Sequence, residues 1–159
     1  MNLVRETASA SIERVYREHG PRIWRGVYAY CRDPDLATDA VAEAFAELLR
    51  RGDGVRDPAA WAWRTAFRVA AGALKERRRM SNEMPDRSAE MDESPVDLMR
   101  ALARLSPKQR GALVLHYYAG YPVRDIARIL DSTSSAVKVH LSTGRKRLRL
   151  ILEADDAGP

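Results

Sequence analysis

Residues 105–152 carry the signals for three helices in close succession, and this succession constrains the fold more than any other feature of the chain. Ser106 and Gln109, three residues apart, predict a capping box at the start of the first helix. Glycine and proline at positions 120–122 end that helix and start a shorter one. A polar turn at residues 131–133 precedes the third helix. This order predicts a helix-turn-helix module, a common DNA-binding unit.

The third helix of the module has two faces of different composition. Residues 134–152 contain five basic residues and no acidic ones, so this helix can neutralise phosphates. A solvated basic helix end, favoured by the helix dipole, is the alternative. The predicted DNA contacts of the module are Arg124, Ser134, Ser135, Lys138, Val139, Ser142, Arg145 and Arg149. The residues predicted to face inward are Leu113, Val114, Tyr117, Val137, Leu141 and Leu148.

An acidic segment at residues 80–97 separates this module from the rest of the chain. It contains six acidic residues and one arginine, together with two prolines, and this composition predicts a linker. We therefore predict an all-α protein of two small helical domains, with a short tail at residues 153–159. The expected domains are residues 1–79 and residues 98–152.

The N-terminal domain shows helical periodicity without strand signals. We expect its first segment to form one helix, or a pair of helices interrupted at Gly20–Pro21. A further helix follows Asp33 and has two stripes, one apolar and one acidic. The acidic residues recur every fourth position, where like charges oppose helix formation by a few tenths of a kcal/mol per pair. A basic partner would remove this penalty, but a solvated acidic face fits equally well. The stripe consists of Asp35, Asp39, Glu43 and Glu47.

A glycine-containing loop at residues 50–57 leads into a third N-terminal helix that is both aromatic and basic. Cations that follow a nucleic-acid backbone, beside rings on which bases stack, are typical of single-strand binding. We expect Trp61 to lie in the core, because helix-spaced aromatic residues usually bury apolar area. Trp63 and Phe67 fit the core and a stacking surface equally well. The predicted single-strand contacts are Arg56, Trp63, Arg64, Phe67, Arg68 and Lys75.

Composition narrows the functional classes. The net charge of +5 and the pI near 9.6 favour a polyanionic partner. Cys31 is the only cysteine, which excludes an internal disulfide and a multi-cysteine zinc site. We expect no metal, no cofactor, no membrane insertion and a cytoplasmic location. The chain contains no metalloprotease or serine-hydrolase motif, and its three histidines are scattered, so we do not expect an enzyme.

Taken together, these segments resemble a bacterial RNA polymerase sigma factor of the extracytoplasmic-function group. The similarity covers residues 12–152 and includes the acidic helix ATDAVAEAF at residues 37–45, the tryptophan-led basic helix and the acidic linker. In the C-terminal domain it includes Asp-Ile-Ala at 125–127, Ser-Ala-Val-Lys at 135–138 and Arg-Lys-Arg-Leu at 145–148. The chain differs from the family pattern at Arg68 and Gly72, at Ala42 and at Ala136.

The resemblance implies a role for each segment. The acidic helix would bind the clamp helices of core RNA polymerase. The loop and the basic helix after it would melt and hold the minus-ten promoter element. The last helix would read the minus-thirty-five element, and the linker would run toward the RNA exit path. An anti-sigma protein is a further expected partner.

Two other functions fit the same sequence. A free-standing helix-turn-helix regulator would bind a palindromic duplex by itself, because such proteins use two half-sites. A sigma-like protein that only binds a partner would keep the scaffold and lose promoter activity. Binding to core polymerase separates the sigma factor from the free-standing regulator.

Overall fold

The computed structural model describes residues 2–81 and 98–158. Every regular element among these residues is helical, which confirms the all-α prediction. The chain divides into two compact units, residues 1–75 and 76–159. Most of the predicted acidic linker, residues 80–97, lies outside the described residues, and the predicted domain boundaries stay predictions.

Three long helices build the first unit. α1 spans Asn2–Cys31, α2 spans Pro34–Arg51 and α3 spans Pro58–Met80. A 3₁₀ turn at Gly52–Gly54 follows α2. α1 is continuous through Pro21, so the first of the two alternatives for this segment, a single helix, is the correct one.

Local signals in the sequence fix both ends of α2. The side chain of Asp33 caps the helix by accepting hydrogen bonds from the backbone N–H groups of Asp35, at 2.9 Å, and Leu36, at 3.1 Å. At the other end, Gly52 has a positive φ of 61°, which glycine adopts without strain. Its N–H donates to the carbonyl of Leu48 and ends the helix.

The core of the first unit is aliphatic and aromatic. The Tyr16 and Phe45 rings meet edge to face, 5.0 Å apart, and join α1 to α2. The Tyr30 ring stacks on Phe67 at 5.5 Å and joins α1 to α3. Fully buried side chains in this unit include Ile23, Val27, Leu48 and Phe67.

After the end of α3, the described residues of the second unit form four helices and one π-helical turn. α4 spans Leu98–Ala103, α5 spans Pro107–Leu113 and the π turn follows at Val114–Tyr118. α6 spans Val123–Ile129 and α7 spans Ser134–Asp156. The sequence did not predict α4 or the π turn.

The start of the second unit's helices follows the predicted signals. Ser106 and Gln109 form the capping box, each accepting the other's backbone N–H at 3.2 Å. The hydroxyl of Thr133 accepts the N–H of Ala136 at 3.1 Å and caps α7. Asp131 turns the chain between α6 and α7 with a positive φ of 52°. α7 packs against α5 and α6. The predicted helix-turn-helix is confirmed.

Candidate nucleic-acid interface

α7 presents all of the predicted DNA contacts except Arg124, which lies on α6. Because Val137 and Leu141 are buried against the preceding helices, the opposite side of α7 faces outward. Val139 is 58% exposed there, and an apolar side chain at that position suits the methyl group of thymine. Ser142 is half-buried and offers less surface than predicted. The other predicted contacts are all exposed: Arg124, Ser134, Ser135, Lys138, Arg145 and Arg149.

The cations of α7 keep their charge available. Within residues 2–81 and 98–158, none of them forms an ion pair with an acidic side chain. An uncompensated cluster of this kind attracts phosphate and releases counterions on binding. The positive charge of α7 is therefore suited to a duplex backbone.

Tyr117 lies in a different place from the one its spacing predicts. It was expected to face the core, but its side chain is 60% exposed, so that prediction is wrong. The π turn explains the difference, since Ala119 donates to the carbonyl of Val114 five residues back, at 3.1 Å. A π turn holds more residues than an α-helical turn, so the side chains within it shift around the helix axis. The Tyr117 hydroxyl accepts a hydrogen bond from Nη1 of Arg145 at 2.8 Å.

Both rings predicted to contact single-stranded DNA belong to the core of the first unit. Phe67 is fully buried and Trp63 is 7% exposed, and their rings stack 6.0 Å apart. A base cannot stack on a buried ring, so the prediction of direct stacking on these two residues is wrong. Trp61, which was expected in the core, is half-exposed, and the guanidinium of Arg51 lies 5.4 Å from the centre of its ring.

The cations predicted for the same interface do lie at the surface. Arg56 precedes α3, and Arg64, Arg68 and Lys75 are all exposed along it. Their spacing along the helix gives an extended positive surface, as a single-strand backbone requires. These four cations are therefore exposed, whereas the rings predicted for the same interface are buried.

The acidic stripe of α2 is divided into two parts. Asp35, Asp39 and Glu43 are exposed. Glu47 accepts hydrogen bonds from Nε of Arg50 at 2.9 Å and from Nε of Arg51 at 3.2 Å. These two guanidinium groups hold the pKa of Glu47 below its usual value, the bond from Arg50 being the larger cause. The outward negative charge is therefore concentrated on the first three residues.

A cleft between α1 and α2 was not predicted from the sequence. Trp24 forms one of its walls, and its indole N–H donates to the hydroxyl of Thr38 at 3.1 Å. Tyr16, at the same cleft, is 52% exposed. Aromatic residues at helical spacing normally indicate core, so nothing in the sequence distinguished these two. The lining residues are Tyr16, Arg17, Gly20, Pro21, Trp24, Thr38, Val41 and Ala42.

The helices within residues 2–81 and 98–158 lack the combination of length and hydropathy that a membrane-spanning helix requires. No cluster of three or more potential ligands among these residues is arranged to hold a metal ion.

Two family models match this chain, one in each half. Residues 15–80 match the model described as Sigma-70 region 2. Residues 96–148 match the model described as Sigma-70, region 4. The first match covers the acidic helix and the aromatic, basic helix, and the second covers the helix-turn-helix.

Known proteins with these regions align along most of the chain. The ECF RNA polymerase sigma factor SigM of Mycobacterium tuberculosis is 28% identical, over 89% of this chain and 77% of that protein. The RNA polymerase sigma factor SigV of Bacillus subtilis is 22% identical, over 96% of this chain and 97% of that protein.

A solved structure of similar fold is the sigma factor RpoE of Bartonella quintana, in complex with the anti-sigma factor NepR. It superposes with a TM-score of 0.68 at 19% identity, over 91% of this chain and 98% of that one. CnrH, in complex with the cytosolic domain of CnrY, superposes with a TM-score of 0.62 at 18% identity, over 96% of this chain and 97% of that one.

Proposed function

Because this chain belongs to the sigma-70 family of RNA polymerase sigma factors, in its extracytoplasmic-function group, we propose that three separate surfaces carry out its function. As a sigma factor, the protein directs promoter recognition by core RNA polymerase. The observation that supports the division is the distribution of charge: an acidic face on α2, and cationic faces on α3 and α7.

α7 reads duplex DNA in the major groove at the upstream promoter element. Its exposed side combines serines, one valine and several cations, which supply hydrogen bonds, an apolar contact and phosphate neutralisation. Lys138 lies one turn into the helix, where recognition helices contact base edges. The later arginines, Arg145 and Arg149, contact the backbone.

α3 and the loop before it hold the melted strand of the downstream element. Arg56, Arg64, Arg68 and Lys75 follow the phosphate backbone. Trp63 and Phe67 contribute by packing in the core, where they hold α3, the helix that carries most of these cations, in place. A base that leaves the duplex loses stacking and pairing energy of a few kcal/mol, which a stacking surface must offset. Trp61 is the half-exposed ring of α3 that can supply such a surface.

Asp35, Asp39 and Glu43 of α2 bind core RNA polymerase. These three exposed carboxylates are spaced one helical turn apart, so they repel one another in the unbound chain. A basic surface of the polymerase would reduce this repulsion. Glu47 is not included among these polymerase contacts, because Arg50 and Arg51 already compensate its charge.

We infer the regulation of the protein from its similarity to two solved complexes. RpoE and CnrH were each solved bound to another protein, the anti-sigma factor NepR and the cytosolic domain of CnrY respectively. An anti-sigma factor is the corresponding partner for this chain. The protein carries out this proposed function in the cytoplasm, and the function requires neither a cofactor nor a catalytic residue.

Competition for core polymerase is the experiment that tests the proposed function. The full chain is mixed with core RNA polymerase and an increasing amount of a known sigma factor, and co-elution is measured. We expect the competitor to displace the chain. Failure to bind core, combined with tight binding of a palindromic duplex by the chain alone, would instead establish a free-standing regulator.

A second measurement tests the role of α7 within the holoenzyme. The probe is a duplex that the holoenzyme selects from a random-sequence pool. Lys138→Ala should weaken binding roughly five- to 150-fold and relax sequence selection at one position, as expected when a base contact worth about 1–3 kcal/mol is lost. Lys146→Ala is the matched control, because it removes the same charge from the same helix outside the proposed contacts. Equal effects of the two variants would mean that only the overall charge of α7 matters.

A further inference from the structure

Arg145 is distinguished from the other cations of α7 by a hydrogen bond to a different part of its unit. Its Nη1 donates to the hydroxyl of Tyr117, 28 residues earlier in the chain, at 2.8 Å. Lys138, Lys146 and Arg149 have no such bond within the described residues. A contact at this sequence separation connects α7 to the π turn before α6.

Tyr117 is itself held by its neighbour. The ring of His116 meets the ring of Tyr117 edge to face, with centroids 4.8 Å apart. Nδ1 of His116 lies 3.0 Å from the carbonyl oxygen of Tyr121. Because a carbonyl only accepts, Nδ1 carries the proton and donates it. This bond fixes the imidazole ring, which in turn restricts where the Tyr117 ring can lie.

The π turn is the reason that Tyr117 reaches Arg145. In an α-helix its ring would follow Leu113 and Val114 toward the core, as its spacing predicts. The extra residue in the turn leaves the ring at the surface instead. π turns in α-helices are frequent at functional sites, which is consistent with a use for the exposed ring.

A hydroxyl is a suitable partner for an arginine that must bind phosphate. A carboxylate in its place would orient the guanidinium but cancel its charge. The neutral tyrosine hydroxyl uses one of the five N–H donors and leaves the charge and the other donors available. An arginine held in this way loses less side-chain freedom when it binds, so its contact is stronger.

We propose that Tyr117 is a positioning residue that holds the Arg145 guanidinium ready for a phosphate of the upstream promoter duplex, with His116 supporting its ring. This inference rests on the proposed function, since Arg145 is one of the contacts assigned to α7. Under this proposal, the effect of the π turn is to orient one cation of the recognition helix, Arg145.

The test is a double-mutant cycle in the holoenzyme. The variants are Tyr117→Phe, Arg145→Ala and the pair combined, and the probe is the duplex selected from a random-sequence pool. Tyr117→Phe removes only the hydroxyl and should weaken binding roughly three- to tenfold, as expected for one ordinary hydrogen bond at an exposed site. In the Arg145→Ala background it should have no further effect. Thermal unfolding should not change, because the side chain is largely exposed.

Lys138→Ala provides the matched cycle. Its effect should add to that of Tyr117→Phe, because Lys138 does not share the tyrosine. Additive effects of Tyr117→Phe and Arg145→Ala would overturn the proposal, and so would wild-type binding by Tyr117→Phe when Arg145→Ala weakens it. If neither Arg145→Ala nor Lys138→Ala weakens binding, the role of α7 in the proposed function fails together with the positioning role.

Discussion

Neutralising the acidic face of α2 should weaken polymerase binding and stabilise the protein at the same time. The change is Asp39→Asn with Glu43→Gln, which removes two exposed carboxylates and keeps the shape of both side chains. It abolishes two like-charge contacts between residues four apart, Asp35 with Asp39 and Asp39 with Glu43. The contact between Glu43 and Glu47 adds little, because two arginines compensate Glu47.

The size of both effects can be estimated. Each like-charge pair costs about 0.2–0.5 kcal/mol, so the variant should gain about 0.4–1 kcal/mol of stability. For a unit of this size that corresponds to a rise of roughly 2–8 °C in Tm. Two exposed ion pairs with the polymerase, at about 0.2–1 kcal/mol each, correspond to roughly two- to thirtyfold weaker binding.

The assay combines a thermal melt with an equilibrium titration against core RNA polymerase at two salt concentrations. Glu6→Gln with Glu18→Gln is the matched control, because it makes the same change of charge on exposed positions of α1. We expect the control to bind core like the wild type, and the difference between the two variants to shrink at high salt. A variant that melts higher but keeps wild-type affinity would refute the docking role of the acidic face.

Further predictions concern the core, the glycines and the pH dependence. Phe67→Ala should cost about 3–5 kcal/mol of unfolding free energy in a denaturant titration, because the ring is fully buried; a stacking residue at the surface would leave stability unchanged. Gly72→Ala should stabilise α3 by about 0.5–1 kcal/mol, because a Cβ there meets nothing within 4 Å. Gly144→Val should instead cost about 1–3 kcal/mol, because a Cβ there lies 3.2 Å from a leucine methyl group. Burial, and secondly the charge of Lys108, hold the pKa of His140 below its ordinary value of 6.5. The folded state then binds fewer protons than the unfolded one, so stability should fall as the pH drops from 6.5 toward the folded pKa, and His140→Gln should flatten that slope in melts across pH.

Capping and turn signals allowed the second unit to be predicted closely. The capping box of Ser106 and Gln109 and the turn before Ser134 depend on residues adjacent in sequence, so they can be recognised without tertiary information. The π turn could not be recognised in this way. It depends on how the segment packs, and it moved Tyr117 from the predicted core to the surface.

The burial of the aromatic residues of α3 was not predicted correctly: Trp61 was expected in the core and Trp63 and Phe67 were left open, although their spacing indicates the buried side. Trp63 and Phe67 are four apart and share a face with the fully buried Ala66 and Ala70, at the spacing of a core stripe. Trp61 lies off that stripe and is half-exposed. Ala66 and Ala70 are small apolar residues that allow close packing on the same face. Their positions therefore identify the buried side of α3 and place Trp61 outside it.

Two surfaces of opposite charge meet at the end of α2. Upstream of it lie exposed carboxylates suited to a basic partner, and downstream begins the cationic surface of α3. At the junction, Arg51 contacts both Glu47 and the ring of Trp61, so the last turn of α2 is connected to the first turn of α3. Arg50 and Arg51 are thus turned back onto Glu47 by short contacts within the same turn. Because these charges compensate one another, the negative charge of the outward face is concentrated on Asp35, Asp39 and Glu43, upstream of the cationic surface of α3.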